Sequence, residues 1–233
     1  MYLCIGILAG GRSTRFGSNK CLFKIEGETL IAKTLSSIST LKIAPNRVYI
    51  SLYKESQVAE LLPHLSSLVF KDDHRGSAYL LRPPGDPGRE IPVEFVFDEE
   101  RPDLPENRAA IWGIMRVLQE VPAGYVQIIP CDTPFFNADV INALHEELED
   151  LADAAALVPR WKNGYIEPLH TIYNKEAMIE KIKINVDRRN FKLRNLFEGC
   201  HSVKFFDIEE KLGRIDPSHK AFKNLNNLDD LSG

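Results

Sequence analysis

Tyr2–Lys20 reads YLCIGILAGGRSTRFGSNK. Tyr2–Leu8 carries no charge and is rich in apolar side chains, which predicts a buried strand. A loop follows directly, with Gly10 and Gly11 at its start and Arg12, Arg15 and Lys20 along it. The two glycines permit backbone angles and close approaches that other residues resist. Successive backbone N–H groups in such a turn form a concave, electropositive nest. A helix start beyond it adds about half a positive charge from its dipole. The stretch therefore either holds a polyphosphate or only turns the chain, with its basic side chains solvated. Gly10, Gly11 and Gly17 fit neither GxxxxGK[ST] nor GxGxxG.

Outward from that loop, strands and helices alternate. Leu30, Ile31, Leu35 and Ile38 recur at helical spacing over Thr29–Ser39. Asn46–Leu52 (NRVYISL) is a strand, and Glu55–Leu65 puts Val58, Leu61, Leu62 and Leu65 on one helical face. Strands follow at Ser66–Phe70 and Val93–Phe97, with the Pro/Gly-rich Arg82–Pro92 between them as an exposed loop. Arg108–Glu120 is a helix, Gly124–Pro130 (GYVQIIP) a strand, Ala138–Leu151 a helix and Ala154–Val158 a strand. The rest is less regular: a hairpin-like piece at Gly164–Tyr173, a helix near Glu176–Ile184, a basic helical stretch Arg188–Phe197, a strand Ser202–Phe206 and a polar tail. This alternation predicts an α/β protein, a single-domain three-layer αβα sandwich around a mostly parallel sheet. Ligands of such sheets sit at the carboxyl ends of the strands. The glycine loop, Asp98 after VEFVF and Asp132 after GYVQIIP all fall at such ends.

Composition narrows the function. The 233 residues are enough for one good-sized α/β domain. A net charge of −4 with no long basic block excludes a protein that coats nucleic acid or an acidic membrane. A small anionic substrate needs only a local basic pocket. Cys4, Cys21, Cys131 and Cys200 are scattered, with neither a CxxC pair nor metal spacing, and read as free thiols of a cytoplasmic protein. Cys131 reads as packed rather than reactive. The N-terminal apolar run is too short to span a membrane and has no basic residue before it.

LAGGRSTRFGSNK (Leu8–Lys20) resembles the LAGGxSxRMGxxK signature of the molybdenum cofactor guanylyltransferases and related nucleotidyltransferases, with Phe16 for the usual Met. Four further segments follow in family order. PCDTPFF (Pro130–Phe136) is similar to the CDxPF segment, and IEPLHTIY (Ile166–Tyr173) to PLxxxY. NFKLRNLF (Asn190–Phe197) is similar to SLRxLL, and FKNLNNLDDL (Phe222–Leu231) to the FxNxNTPEDL close. The resemblance implies a Rossmann-like nucleotidyltransferase sheet, with an NTP-binding half at about 1–135 and an acceptor-binding half at about 136–233. It implies Mg²⁺-dependent transfer of GMP from GTP to molybdopterin with release of pyrophosphate. Molybdenum-insertion and molybdoenzyme maturation proteins are the implied partners.

The resemblance also distributes roles. Arg15, Lys20 and Asp132 are the implied catalytic residues, with Arg15 and Lys20 on the triphosphate and Asp132 on the metal. Leu8, Ala9, Gly10, Gly11 and Ser13 belong to the nucleotide loop, and Ser51 and Asp98 to the nucleoside. Asp72 rivals Asp98, because extra residues precede the next helix. Arg188, Arg189 and Arg194, with Lys192 among them, form a basic cluster for a phosphorylated acceptor, joined by Asn224 and Asn226. By position alone, Asp132 equally caps the helix after Pro134 or makes an Asx turn. The basic cluster equally lines a solvated helix face, and His170 and Tyr173 read as structural.

Two departures bear on the base. The family often has Asn where this chain has Ser51, and RAAIWG (Arg108–Gly113) keeps only the final glycine of GPLAG. GTP stays ahead of CTP. Other phosphorylated acceptors, a phosphosugar or a phospholactate, stay open, as does a nucleotide-binding regulator without turnover.

Overall fold

The computed structural model describes residues 2–10, 19–73, 76–83, 85–86, 88–98, 110–151, 154–200 and 202–225. The strands are β1 (Leu3–Leu8), β2 (Lys24–Ile25), β3 (Glu28–Thr29), β4 (Arg47–Leu52), β5 (Leu68–Asp73), β6 (Gly76–Leu81), β7 (Ile91–Phe97), β8 (Tyr125–Pro130), β9 (Ala156–Arg160), β10 (Ile172–Asn174) and β11 (Val203–Asp207). The helices are α1 (Leu30–Ser39), α2 (Ser56–Leu61), α3 (Ile111–Glu120), α4 (Ala138–His145), α5 (Lys175–Asp187) and α6 (Ile208–Leu212).

A nine-stranded sheet in the order β11-β9-β10-β8-β1-β4-β7-β6-β5 forms the middle layer. β1 pairs in parallel with β4 and β8, and β4 in parallel with β7. Only β6 and β10 run against the rest of the sheet. The alternating side chains explain why the central strands read as continuous apolar runs. Leu3, Ile5 and Ile7 of β1, with Val48, Ile50 and Leu52 of β4, face one core. Cys4 and Tyr49 from the same strands, with Val126 and Ile128 of β8, face the other. Helices α1, α4 and α6 cover the first face and α3 and α5 the second, which gives the three layers. Each of these buried aliphatic side chains contributes about 1.5–3 kcal/mol of transfer free energy.

Local chemistry sets the helix ends. The Thr29 hydroxyl accepts from the Ala32 N–H and starts α1, and Asn137 caps α4 in the same way. Glu26 and Gly27 both take positive φ (55° and 86°) and make the tight turn between β2 and β3. That ribbon carries the chain from the glycine loop into α1.

Several expectations need correction. α2 ends at Leu61 and a 3-10 turn with Pro63 takes over, because Pro63 cannot continue the hydrogen-bond ladder. α4 likewise ends at His145, and a separate 3-10 turn covers Leu148–Leu151. β6 takes up residues ahead of the Pro/Gly stretch, and β7 begins inside that stretch at Ile91. The hairpin-like piece yields β10, which inserts between β8 and β9. Arg188–Phe197 is not one helix. Arg188 caps α5, Arg189 turns left-handed (φ 55°), and a 3-10 turn spans Leu193–Phe197. The polar tail contains α6.

Candidate active site

The carboxyl ends of β1, β4, β7 and β8 are level, and their ladders run one residue further. The Ala9 N–H donates to Ser51 O, Asp98 N–H to Leu52 O, and Cys131 N–H to Leu8 O. Cys131, Ala9 and Asp98 therefore stand along the rim of the sheet, with the end of β4 between the last two. Asp72 lies near the end of β5, the edge strand, two strands beyond β7. Of the two rivals, Asp98 is the one placed on the central rim.

Gly10 passes over the end of β4. A Cβ there would lie 2.8 Å from the backbone nitrogen of Tyr53 and 3.0 Å from the carbonyl carbon of Leu52. The close approach expected of this glycine is thus made to the protein's own backbone. Gly11, Ser13 and Arg15 lie outside the described residues. The chain is described again at Asn19, whose side-chain oxygen accepts from the Cys21 N–H and caps the turn Lys20–Leu22.

This turn faces the end of β8. Lys20 Nζ lies 2.6 Å from Asp132 Oδ2, and both side chains stay partly open to solvent. Cys21 and Cys131, one step along each segment, form a disulfide across a sequence separation of 110. This corrects the expectation of free, merely packed thiols for Cys21 and Cys131; Cys4 and Cys200 are free. Nothing in the spacing of Cys21 and Cys131 pairs them, because the fold alone brings the returning loop to β8.

The Asp132 turn is anchored on its other flank. The Thr133 hydroxyl donates to Pro130 O (3.0 Å), and His170 Nε2 lies 3.3 Å from Thr133 Oγ1. The Leu225 N–H donates to Asp132 O (2.8 Å), so the segment carrying Asn224 reaches the same turn. Asn226 lies outside the described residues. Burial pushes His170 down to about 3, which keeps its ring neutral. Burial raises the Glu167 carboxyl, partly offset by the Trp161 Nε1–H that donates to it at 2.7 Å.

Ser51 is 2 % exposed. It sits beneath α3, where a Cβ on Gly113 would lie 3.0 Å from both Ser51 Oγ and Leu8 Cδ2. The one glycine kept from GPLAG therefore lets α3 settle directly onto the ends of β1 and β4. Leu8 is half-buried in this contact.

The basic cluster reaches this end of the sheet through the reversal at β10. Asn174 pairs with Tyr125 at the foot of β8, so α5 climbs back toward the carboxyl rim. Beyond it, Phe191 packs on Trp112 in the first turn of α3, with ring centroids 5.9 Å apart. Asn185, Asn190 and Asn195 link side chain to side chain at 2.9 and 3.1 Å and pin the turn. Arg188, Arg189, Lys192 and Arg194 remain exposed.

Among the described residues, no three or more His, Cys, Asp or Glu side chains gather into a metal cluster. A Mg²⁺ ion fits this rim on other grounds. It is commonly held by one or two carboxylates, with substrate phosphates and water completing its shell. Asp132 supplies such a carboxylate, already directed at a cation, the Lys20 ammonium.

A doubly wound sheet that gathers a glycine crossing, a lysine and a carboxylate at its carboxyl rim has the build of an enzyme acting on nucleotides. Comparison with known proteins agrees. The family model of the MobA-like NTP transferase domain matches residues 5–203. A Methanosarcina acetivorans protein named as a probable molybdenum cofactor guanylyltransferase is 30% identical over 227 residues, covering 97% of this chain and 86% of its own. One of the same name from Pyrococcus horikoshii is 25% identical over 231 residues, covering 99% and 98%. The crystal structure of molybdopterin-guanine dinucleotide biosynthesis protein A from Archaeoglobus fulgidus shares the fold, with a TM-score of 0.68 at 22% identity over 98% of this chain and 95% of that one. The 4-diphosphocytidyl-2C-methyl-D-erythritol synthase of Anaerococcus prevotii does so at a TM-score of 0.61 and 11% identity, over 99% and 93%. The chain belongs to the MobA-like NTP transferase family, and it is a nucleotidyltransferase.

Proposed function

We propose that this enzyme transfers GMP from GTP to molybdopterin and releases pyrophosphate. The observation that carries the reading is the Lys20–Asp132 pair at the carboxyl rim, beside the Gly10 crossing. The relatives named as guanylyltransferases, which match along nearly the whole chain, support the choice of GTP and of the acceptor.

The chemical problem is charge. An acceptor phosphate oxygen attacks an α-phosphorus already surrounded by negative oxygens, so catalysis rests on positioning and electrostatics. Lys20 and Arg15 hold the triphosphate, and Ala9, Gly10, Gly11 and Ser13 present backbone and side-chain groups to the nucleotide. Asp98 faces the nucleoside. Asp132 would hold a Mg²⁺ ion, which would supply charge neutralisation. Lys20 then exchanges its carboxylate partner for phosphate oxygens. Arg188, Arg189 and Arg194 take the acceptor phosphate, with Asn224 and Asn226 closing that side. In this reading one domain holds both halves, nucleotide first and acceptor second. Its setting is the cytoplasm, where GTP is held, with molybdenum-insertion and molybdoenzyme maturation proteins as recipients of the product.

Pyrophosphate release from each of the four NTPs, with Mg²⁺ and molybdopterin, tests this. Release with GTP alone is expected. Release with CTP alone would keep the mechanism and change the base; the departure of RAAIWG from GPLAG, of which Gly113 lies against Ser51, is the feature that favours that second reading. Nucleotide binding without release would overturn transfer to molybdopterin.

A further inference from the structure

His170 is a buried group that the transfer chemistry leaves unused. Its ring is 2 % exposed and packs against both Phe136 and Phe222, at centroid distances of 4.5 and 4.9 Å. Trp161 packs on Phe222 in turn, with ring centroids 5.8 Å apart. An apolar residue would suit this aromatic cage better. Nδ1 of His170 is buried without a hydrogen-bond partner, and the nearest carboxylate oxygen, Glu167 Oε2, is 4.0 Å away. Burying such an atom costs free energy. What the ring gains is the contact of Nε2 with Thr133.

The direction of that bond follows from its neighbours. The Thr133 hydroxyl spends its proton on Pro130 O. Its oxygen can then only accept, so Nε2 of His170 carries the hydrogen and donates. Pro130 and Thr133 bracket Asp132 in the chain. The imidazole thus fixes both ends of the short turn that presents the carboxylate, and the Leu225 N–H holds its middle.

We propose that His170 is a positioning residue that, through the Thr133 hydroxyl, sets the pose of the Asp132 carboxylate. The inference rests on the reading of Asp132 as the carboxylate that takes the magnesium of the bound nucleotide. A catalytic group must be held within about half an ångström of its working position. The Cys21–Cys131 bond tethers one end of this turn and Lys20 pairs with the carboxylate itself, while Thr133 and His170 hold the other end.

The test compares His170→Leu, His170→Gln, Thr133→Val, Thr133→Ser and Asp132→Asn in the full chain. Pyrophosphate release is followed against GTP and against Mg²⁺, and thermal unfolding is run beside it. His170→Leu is expected to keep the melting temperature and the KM for GTP, to lower kcat about tenfold or more, and to raise the Mg²⁺ half-saturation. Thr133→Val should lower kcat and raise the Mg²⁺ half-saturation in the same way, with a lower melting temperature, because Pro130 O and His170 Nε2 lose their partner. His170→Gln and Thr133→Ser, which keep the donor and the hydroxyl, should recover most of the loss. The two losses should not add in the double variant, because both act through one bond. Should His170→Leu fail to fold, Thr133→Val and Thr133→Ser carry the comparison. Wild-type kcat and Mg²⁺ dependence in a folded Thr133→Val, with Asp132→Asn inactive, would overturn the positioning role alone. An active Asp132→Asn would overturn the reading beneath it as well.

Discussion

Lys20 and Asp132 lie 112 positions apart in the chain and hold each other at 2.6 Å. Such a partly exposed ion pair is worth about 1 kcal/mol or less to stability. In the proposed reading its value to the molecule lies in chemistry. Replacing either residue with alanine should lower pyrophosphate release by about a hundredfold or more. The melting temperature should move by only a few degrees. Wild-type turnover in either variant would remove that residue from the mechanism.

The Cys21–Cys131 bond closes a long loop, and cross-links of this span stabilise by about 2–5 kcal/mol. A dithiol reductant should lower the urea midpoint accordingly. In denaturant, thiol titration should find two free groups before reduction and four after, since Cys4 and Cys200 are the free pair. Four thiols from the start, in protein purified without reductant, would contradict the bond.

Gly113 and Gly10 sit where added atoms have nowhere to go. Gly113→Ala presses on Leu8 and Ser51, whose side chains can yield slightly, and should cost about 1–3 kcal/mol. Gly10→Ala meets backbone at 2.8 Å, so its loop must move. The KM for the nucleotide should therefore rise more for Gly10→Ala than for Gly113→Ala. Equal nucleotide KM values in the two variants would argue against a nucleotide at the Gly10 crossing.

Burial lowers His145 to about 4 and His170 to about 3, against 6.5 when exposed. Above pH 6.5 both are neutral in either state, and their contribution is complete. Below it the unfolded chain binds the protons first, so stability falls as pH falls. The slope is about 1.4 kcal/mol per pH unit for each histidine, down to its folded value. Urea unfolding at pH 7, 6 and 5 should show this decline, and His145→Gln should make it shallower. A flat profile would mean that neither imidazole is kept neutral.

Much of the sheet was legible in the sequence. Leu3–Leu8 is apolar throughout, and Tyr125–Pro130 is so except at Gln127, because helices cover both faces, and Thr29 announces the start of α1. Ile172–Asn174 was not legible as a strand. Three residues carry no periodicity, and β8 and β9, not local propensity, hold them extended. Arg188–Phe197 misled because basic and apolar residues alternate at near-helical spacing, while the left-handed Arg189 breaks the helix. At the site, Lys20 and Asp132 were readable from motif and strand end. His170, Thr133 and the Leu225 N–H were not, since their partners lie far along the chain.

Gly85, Asp86 and Gly88, between β6 and β7 in the chain, are exposed. This segment lies inside the loop that Cys21–Cys131 closes. A protease that nicks this segment would thus leave two polypeptides still joined, with Lys20 on one and Asp132 on the other. The nicked enzyme would migrate as a single species until reduced, and its two halves would meet again at the rim of one sheet.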